Sequence, residues 1–196
     1  MLLVVRRGAI ATLARGAELA GAAAVACVRT FAADERFAED VAAWRRRPGK
    51  VTLRARGGQW PQLLAEAPHV LAGDPEGEAV AAVPPSRRSA RGELFERLQA
   101  MTSALTPPPD RVDPDPVRVT YLVNPRLAMS SGKTLAQVAH AAVMAADGGG
   151  LEDWWPWAAP PWSPRRRSAS SMRSASPAAS LRASSTPGSP RSSPAP

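Results

Sequence analysis

Lys133, Gln137 and His140 recur at intervals of four and three along Met129-Ser-Ser-Gly-Lys-Thr-Leu-Ala-Gln-Val-Ala-His-Ala-Ala142. On a helix turning about 100° per residue they share, with Met144, a stripe about 60° wide. A cation, an amide and an imidazole brought to one surface can neutralise negative charge and supply hydrogen bonds to a polar ligand. Leu135, Val138, Ala139, Ala142 and Ala146 take the other side, so the spacing predicts a helix laid by its small apolar face on a sheet. Ser130 or Ser131 is a natural N-cap, and Gly132 lets the backbone turn tightly just before Lys133. Helix-start N–H groups beside a lysine attract phosphate or carboxylate. An amphipathic helix with a merely solvated polar face would have the same spacing, and the residues alone leave both readings open.

Other chemistries are excluded more firmly. Ser131-Gly-Lys-Thr134 has the end of a phosphate-binding loop, but the glycine needed five residues before Gly132 is Leu127, so no glycine-rich cradle exists. One cysteine (Cys27) and two histidines (His69 and His140) cannot assemble a zinc-type ligand set, and no metal or other cofactor is expected. Cys27 lies in an alanine-rich apolar stretch, where a buried inert thiol is expected, and a lone cysteine fits a reducing cytoplasm. No apolar run reaches the roughly 18 residues of a membrane span. The first thirty residues have an apolar Met1–Val5 stretch before Arg6 and Arg7, the wrong order for a secretory signal.

The elements that would position the stripe read as α/β. Over residues 1–85, strands are expected at Leu2–Arg6, Lys50–Arg54, His69–Leu71 and Ala79–Val83. Helices are expected at Thr12–Arg29, at Asp34–Arg47 with Asp34 as N-cap, and at Gln59–Ala65. These make a small mixed sheet flanked by helices. Residues 86–117 read as an amphipathic segment (Arg91–Ala104) and a proline-rich linker. Residues 118–150 read as a second, incomplete strand–helix unit, with Val117–Val123 the strongest strand pattern in the chain. Residues 151–196, rich in proline, serine, arginine and alanine, lack the large apolar residues of a core and are expected to be disordered. Aromatics are only 5% of the chain and alanine supplies much of its apolar content, so the core should be thin. A faint repeat links Leu3–Ala26 to Leu122–Ala145 without a gap, pairing Leu3 with Leu122, Val4 with Val123 and Arg7 with Arg126.

The run Met129–Ala142 resembles the opening of type 2 peptidyl-tRNA hydrolases, whose signature is Met-x-x-Gly-Lys-x-x-Ala-Gln-x-x-His-Ala directly after a hydrophobic strand. Every fixed position is present, over about thirty residues of the chain. The resemblance implies an α/β enzyme that cleaves, without metal, the ester between a peptide and the terminal ribose of tRNA. It gives Lys133 and His140 catalytic roles and makes Ser131, Gly132 and Gln137 substrate-binding. The family's later Asp-Ala-Gly-x-Thr and Gly-Thr-x-Thr stretches, which add an acid and threonines to the site, do not follow Asp147. The tail in their place reads like GC-rich DNA translated in a shifted frame. In the repeat register Ala14, Glu18 and Gly21 stand where Lys133, Gln137 and His140 do, so the first unit would be a catalytically blank copy, serving as support or paired with the second.

Formal net charge is +8, which favours polyanions. Arg45-Arg46-Arg47, Lys50, Arg54 and Arg56 are candidates for tRNA phosphates, although much of the excess charge comes from the arginine-bearing tail. Three functions are thus expected in competition: a cytoplasmic tRNA-directed ester hydrolase, an inactive tRNA- or RNA-binding module, or a non-functional fragment. Pairing of the two units within one chain, or of two chains in a homodimer, accompanies the first.

Overall fold

The computed structural model describes residues 1–49, 51–108 and 120–149. Lys50, the first three residues of the Val117–Val123 segment and the tail from 151 onward lie outside the described residues, as does the disorder expected of that tail.

The elements run β1 (Leu2–Arg6), α1 (Leu13–Ala32), α2 (Ala38–Arg46), β2 (Val51–Ala55), α3 (Gln59–Glu66), β3 (Val70–Gly73), β4 (Ala79–Val83), α4 (Glu93–Arg97), β5 (Gln99–Ala100) and α5 (Ser131–Asp147). The fold is α/β, on a mixed sheet ordered β3-β4-β1-β2-β5. β1 and β2 are parallel and the other pairings antiparallel.

Both faces of the sheet are covered, which is why β1 reads as an unbroken apolar run rather than an alternation. Leu3, Val5, Val80 and Ala82 pack under α1, α2 and α5, and Leu2, Val4, Leu53 and Ala81 pack against Trp60 and Leu63 of α3 and Leu94 of α4. On α1 the buried side is largely alanine, with Ala20, Ala23 and Ala24 fully enclosed, so helices and sheet approach closely. Cys27 is enclosed among them, and burial pushes its thiol far up, keeping it un-ionised.

Four expectations change. Asp34 does not cap α2: its carboxylate accepts from Arg36 N and Arg36 Nε at 3.0 Å each, forming a turn, and the helix begins at Ala38. The amphipathic segment after Arg91 gives only the short α4, because Gln99-Ala100 leave it to pair with Arg54 and Leu53 at the sheet edge. Thr120–Val123 form no strand, with Leu122 95% and Val123 45% exposed. A strand needs a neighbour for its N–H and C=O groups, and no described strand lies alongside. Finally, α5 packs along α1 and over β2 of the first sheet rather than on a strand preceding it.

Candidate functional site

The start of α5 is held by the body of the sheet. Thr52, buried on the α1 side of β2, donates from Oγ1 to the Gly132 carbonyl at 2.9 Å, and Leu105 N donates to Ser131 Oγ at 2.9 Å. A Cβ on Gly132 would sit 2.6 Å from the Met101 carbonyl oxygen, so glycine is required here for close approach. Ser131 therefore anchors the helix instead of capping it. Ser130 holds the N-cap position with extended backbone, and its side chain makes no cap hydrogen bond.

The segment that grips α5 also grips α1. Leu13 N donates to the Thr106 carbonyl at 2.8 Å, and Thr106 N to the Ala11 carbonyl at 3.0 Å. At their other ends both helices meet α2 or its approach: Asp147 accepts from Arg45 at 2.8 Å, and Phe31 packs edge-on to Phe37. The two long helices thus run side by side in one direction. Gly16 of α1 faces Leu135 of α5, with the Leu135 methyl 3.1 Å from where a Cβ would lie. Those two residues are equivalent in the repeat register, as are buried Ala20 and Ala139, Ala23 and Ala142, and Ala24 and Val143.

With its apolar side spent on α1 and the sheet, α5 turns the polar stripe outward. Lys133 and Gln137 are exposed, His140 is half-buried and Met144 is exposed. The imidazole of His140 stands edge-on to Trp44, with ring centroids 5.9 Å apart. Trp44 is itself fixed by donating Nε1 to the Gly49 carbonyl at 2.7 Å. Lys133 makes no ion pair among the described residues. The structure therefore brings Lys133, Gln137 and His140 to one flank, beginning from Ser131 and Gly132, which act in docking the helix.

That flank is a surface and not a cleft. The depression bordered by His140, Ala136, Val51, Trp44 and Gly49 has a volume of about 10 Å³, room for one water at most. The larger hollow, about 220 Å³, lies elsewhere, between Arg6–Ala9 and Glu76–Glu78. Its lining carries Arg6 and Arg7 against Glu76 and Glu78; Arg6 donates to the Glu76 backbone carbonyl, and Arg15 pairs with Glu18 and Glu78 at 3.2 and 3.3 Å.

The arginines flank the stripe in two groups. Arg45, Arg46 and Arg47 are exposed at the end of α2, beside Trp44 and the His140 end. Arg54 and Arg56 belong to the other end of β2, on the side of Thr52 and the start of α5. Sequence reasoning missed the supports, Thr52, Met101 and Leu105, and the partners of Arg54 and Arg56. Thr52 had only its polar place within a strand alternation as a signal. Among the described residues no group of three acidic, histidine or cysteine side chains is placed to hold a metal, and no helix is long and apolar enough to cross a membrane.

No family model, no curated protein and no solved structure matches this chain.

Proposed function

We propose that this chain acts on tRNA as a peptidyl-tRNA hydrolase-like protein, with α5 supplying one half of the reactive site. The observation that carries this reading is a single one. The residues of Met129–Ala142 that resemble the family signature place an exposed lysine and amide, with a half-buried imidazole, on one helical flank, and of the arginines at its two ends Arg46, Arg47, Arg54 and Arg56 have no carboxylate partner among the described residues. An open flank with basic groups at both ends suits a long polyanion better than an enclosed small molecule.

In the reaction, water attacks the ester carbonyl and the bond to the terminal ribose oxygen breaks. The Lys133 ammonium offsets the charge developing on the carbonyl oxygen, a transition-state contact. Gln137 supplies amide hydrogen bonds to the ribose end. His140, edge-on to Trp44, would deliver or accept a proton. Because no Asp-Ala-Gly-x-Thr stretch follows Asp147, turnover is expected to be slow and RNA binding to be the stronger property. The matching buried positions of α1 and α5 support reading the first unit as a blank copy that pairs with the second.

Hydrolysis of peptidyl-tRNA by the full chain tests the reading, with Lys133→Ala beside it. Slow turnover abolished by the substitution, over salt-sensitive tRNA binding that persists, is the expected result. Turnover indifferent to Lys133, or no affinity for tRNA at low salt, overturns it.

A further inference from the structure

Three arginines at the β5 edge of the sheet bond only to neutral oxygens. Arg54 donates from Nη1 to Ser103 Oγ at 3.4 Å and from Nη2 to Gln99 Oε1 at 3.1 Å. Arg56 Nη2 donates to that same Gln99 oxygen. Arg97 Nη2 donates to Gln62 Oε1 at 3.3 Å. Among the described residues none of the three pairs with a carboxylate, whereas Arg15, Arg36 and Arg45 each do.

Sharing one amide oxygen draws two guanidinium groups together without neutralising either. The Gln99 dipole offsets only part of their mutual repulsion, and an anion would relieve the rest. Arg54 Nε is also buried and has no hydrogen-bond partner among the described residues. Guanidinium forks match the spacing of phosphate oxygens, and forks already steadied lose less freedom on binding. The pair is placed by the β2–β5 register, which sets Gln99 beside Arg54. Arg54 lies two residues beyond Thr52 on the same face of β2, the end of the sheet where Thr52 fastens Gly132, next to Lys133.

We infer that Arg54 and Arg56 form a clamp for one backbone phosphate of RNA, with Gln99 as the positioning residue that presents them together. The phosphate chemistry stands on these side chains; that the phosphate belongs to RNA rests on the proposed function.

The test is Gln99→Glu in the full chain, since a carboxylate at that position would bond to both guanidiniums and cancel one of their two positive charges from within, while Gln99 itself is exposed. Binding of a short single-stranded RNA is measured across a salt series, with inorganic phosphate as competitor and a thermal melt to confirm folding. A folded Gln99→Glu chain is expected to lose roughly tenfold in RNA affinity, and the slope of log K against log salt to shrink by about 0.7, one phosphate's worth. Arg56→Lys, which keeps the charge and loses the fork, should weaken binding but leave the slope nearly unchanged. Wild-type affinity and slope in folded Gln99→Glu overturn the clamp. Its loss in Gln99→Glu with no hydrolysis in any variant keeps the clamp and removes the hydrolase. Lys133-dependent hydrolysis with RNA binding unchanged in Gln99→Glu does the reverse.

Discussion

Leu3-Val4 and Leu122-Val123 stand at equivalent distances ahead of the two long helices, yet the first pair is buried and the second is exposed. Downstream the two regions converge again, because α1 and α5 bury matching positions, and at one of them Gly16 faces Leu135. The difference lies in what each kind of element needs. A helix closes its own backbone hydrogen bonds and requires only one apolar face to dock. A strand leaves its N–H and C=O groups for neighbours to satisfy. β1 has β2 and β4 on its two sides, while Thr120–Val123 have no described strand beside them. The second region thus docks its helix on the sheet of the first, while its described residues Thr120–Val123 form no strand.

The most forceful way to break this comparison is Leu135→Ala. Leu135 is fully enclosed between α5 and α1. If α5 belongs to the common core, removing the side chain should lower global stability by about 2–5 kcal/mol, the usual range for such a cavity. A denaturation curve with an unchanged midpoint, or an early separate transition confined to α5, would make it an appendage.

How far the sequence foretold these regions follows the same division. The helices within residues 1–85 were legible from apolar residues at the helical period, and the strands as short apolar runs or alternations bounded by turn residues. The flank of Lys133, Gln137 and His140 was legible for the same reason, as spacing on one helix fixes direction. β5 was not, since Gln99-Ala100 have no strand pattern of their own and are ordered by the edge of β2. The Arg54–Gln99–Arg56 arrangement was equally hidden, because it arises from a register between segments 45 residues apart. Asp34 misled for a subtler reason: the same carboxylate that can cap a helix can also close a turn with Arg36, and here it does the latter.

A smaller effect sharpens the contrast between the two helix starts. Gly132→Ala gains helix propensity of up to about 1 kcal/mol, but its Cβ would press on the Met101 carbonyl, a backbone atom that cannot swing aside. Displacing that contact should cost about 1–3 kcal/mol, so the variant is expected to be less stable overall. Leu13 of α1, the equivalent of Gly132 in the repeat register, is half-buried and holds a full side chain at that position. Equal or greater stability of Gly132→Ala in a thermal melt would show that α5 rides higher on Met101 and Thr52 than described.

The smallest expected effect concerns the strand pattern itself. Leu122 has the residue type of a strand core and the exposure of a loop. Replacing it by serine removes almost no buried surface, so stability should stay within about 0.5 kcal/mol of the parent chain. The equivalent change at Leu3, which is 3% exposed beneath α1, would put an unsatisfied hydroxyl into the core and leave a cavity as well. The ratio of the two losses therefore measures how much of the β1-like pattern in the second region is used for packing. A loss at Leu122 approaching that at Leu3 would mean the segment finds a sheet neighbour in solution, and the two regions would then be alike in strand as well as in helix.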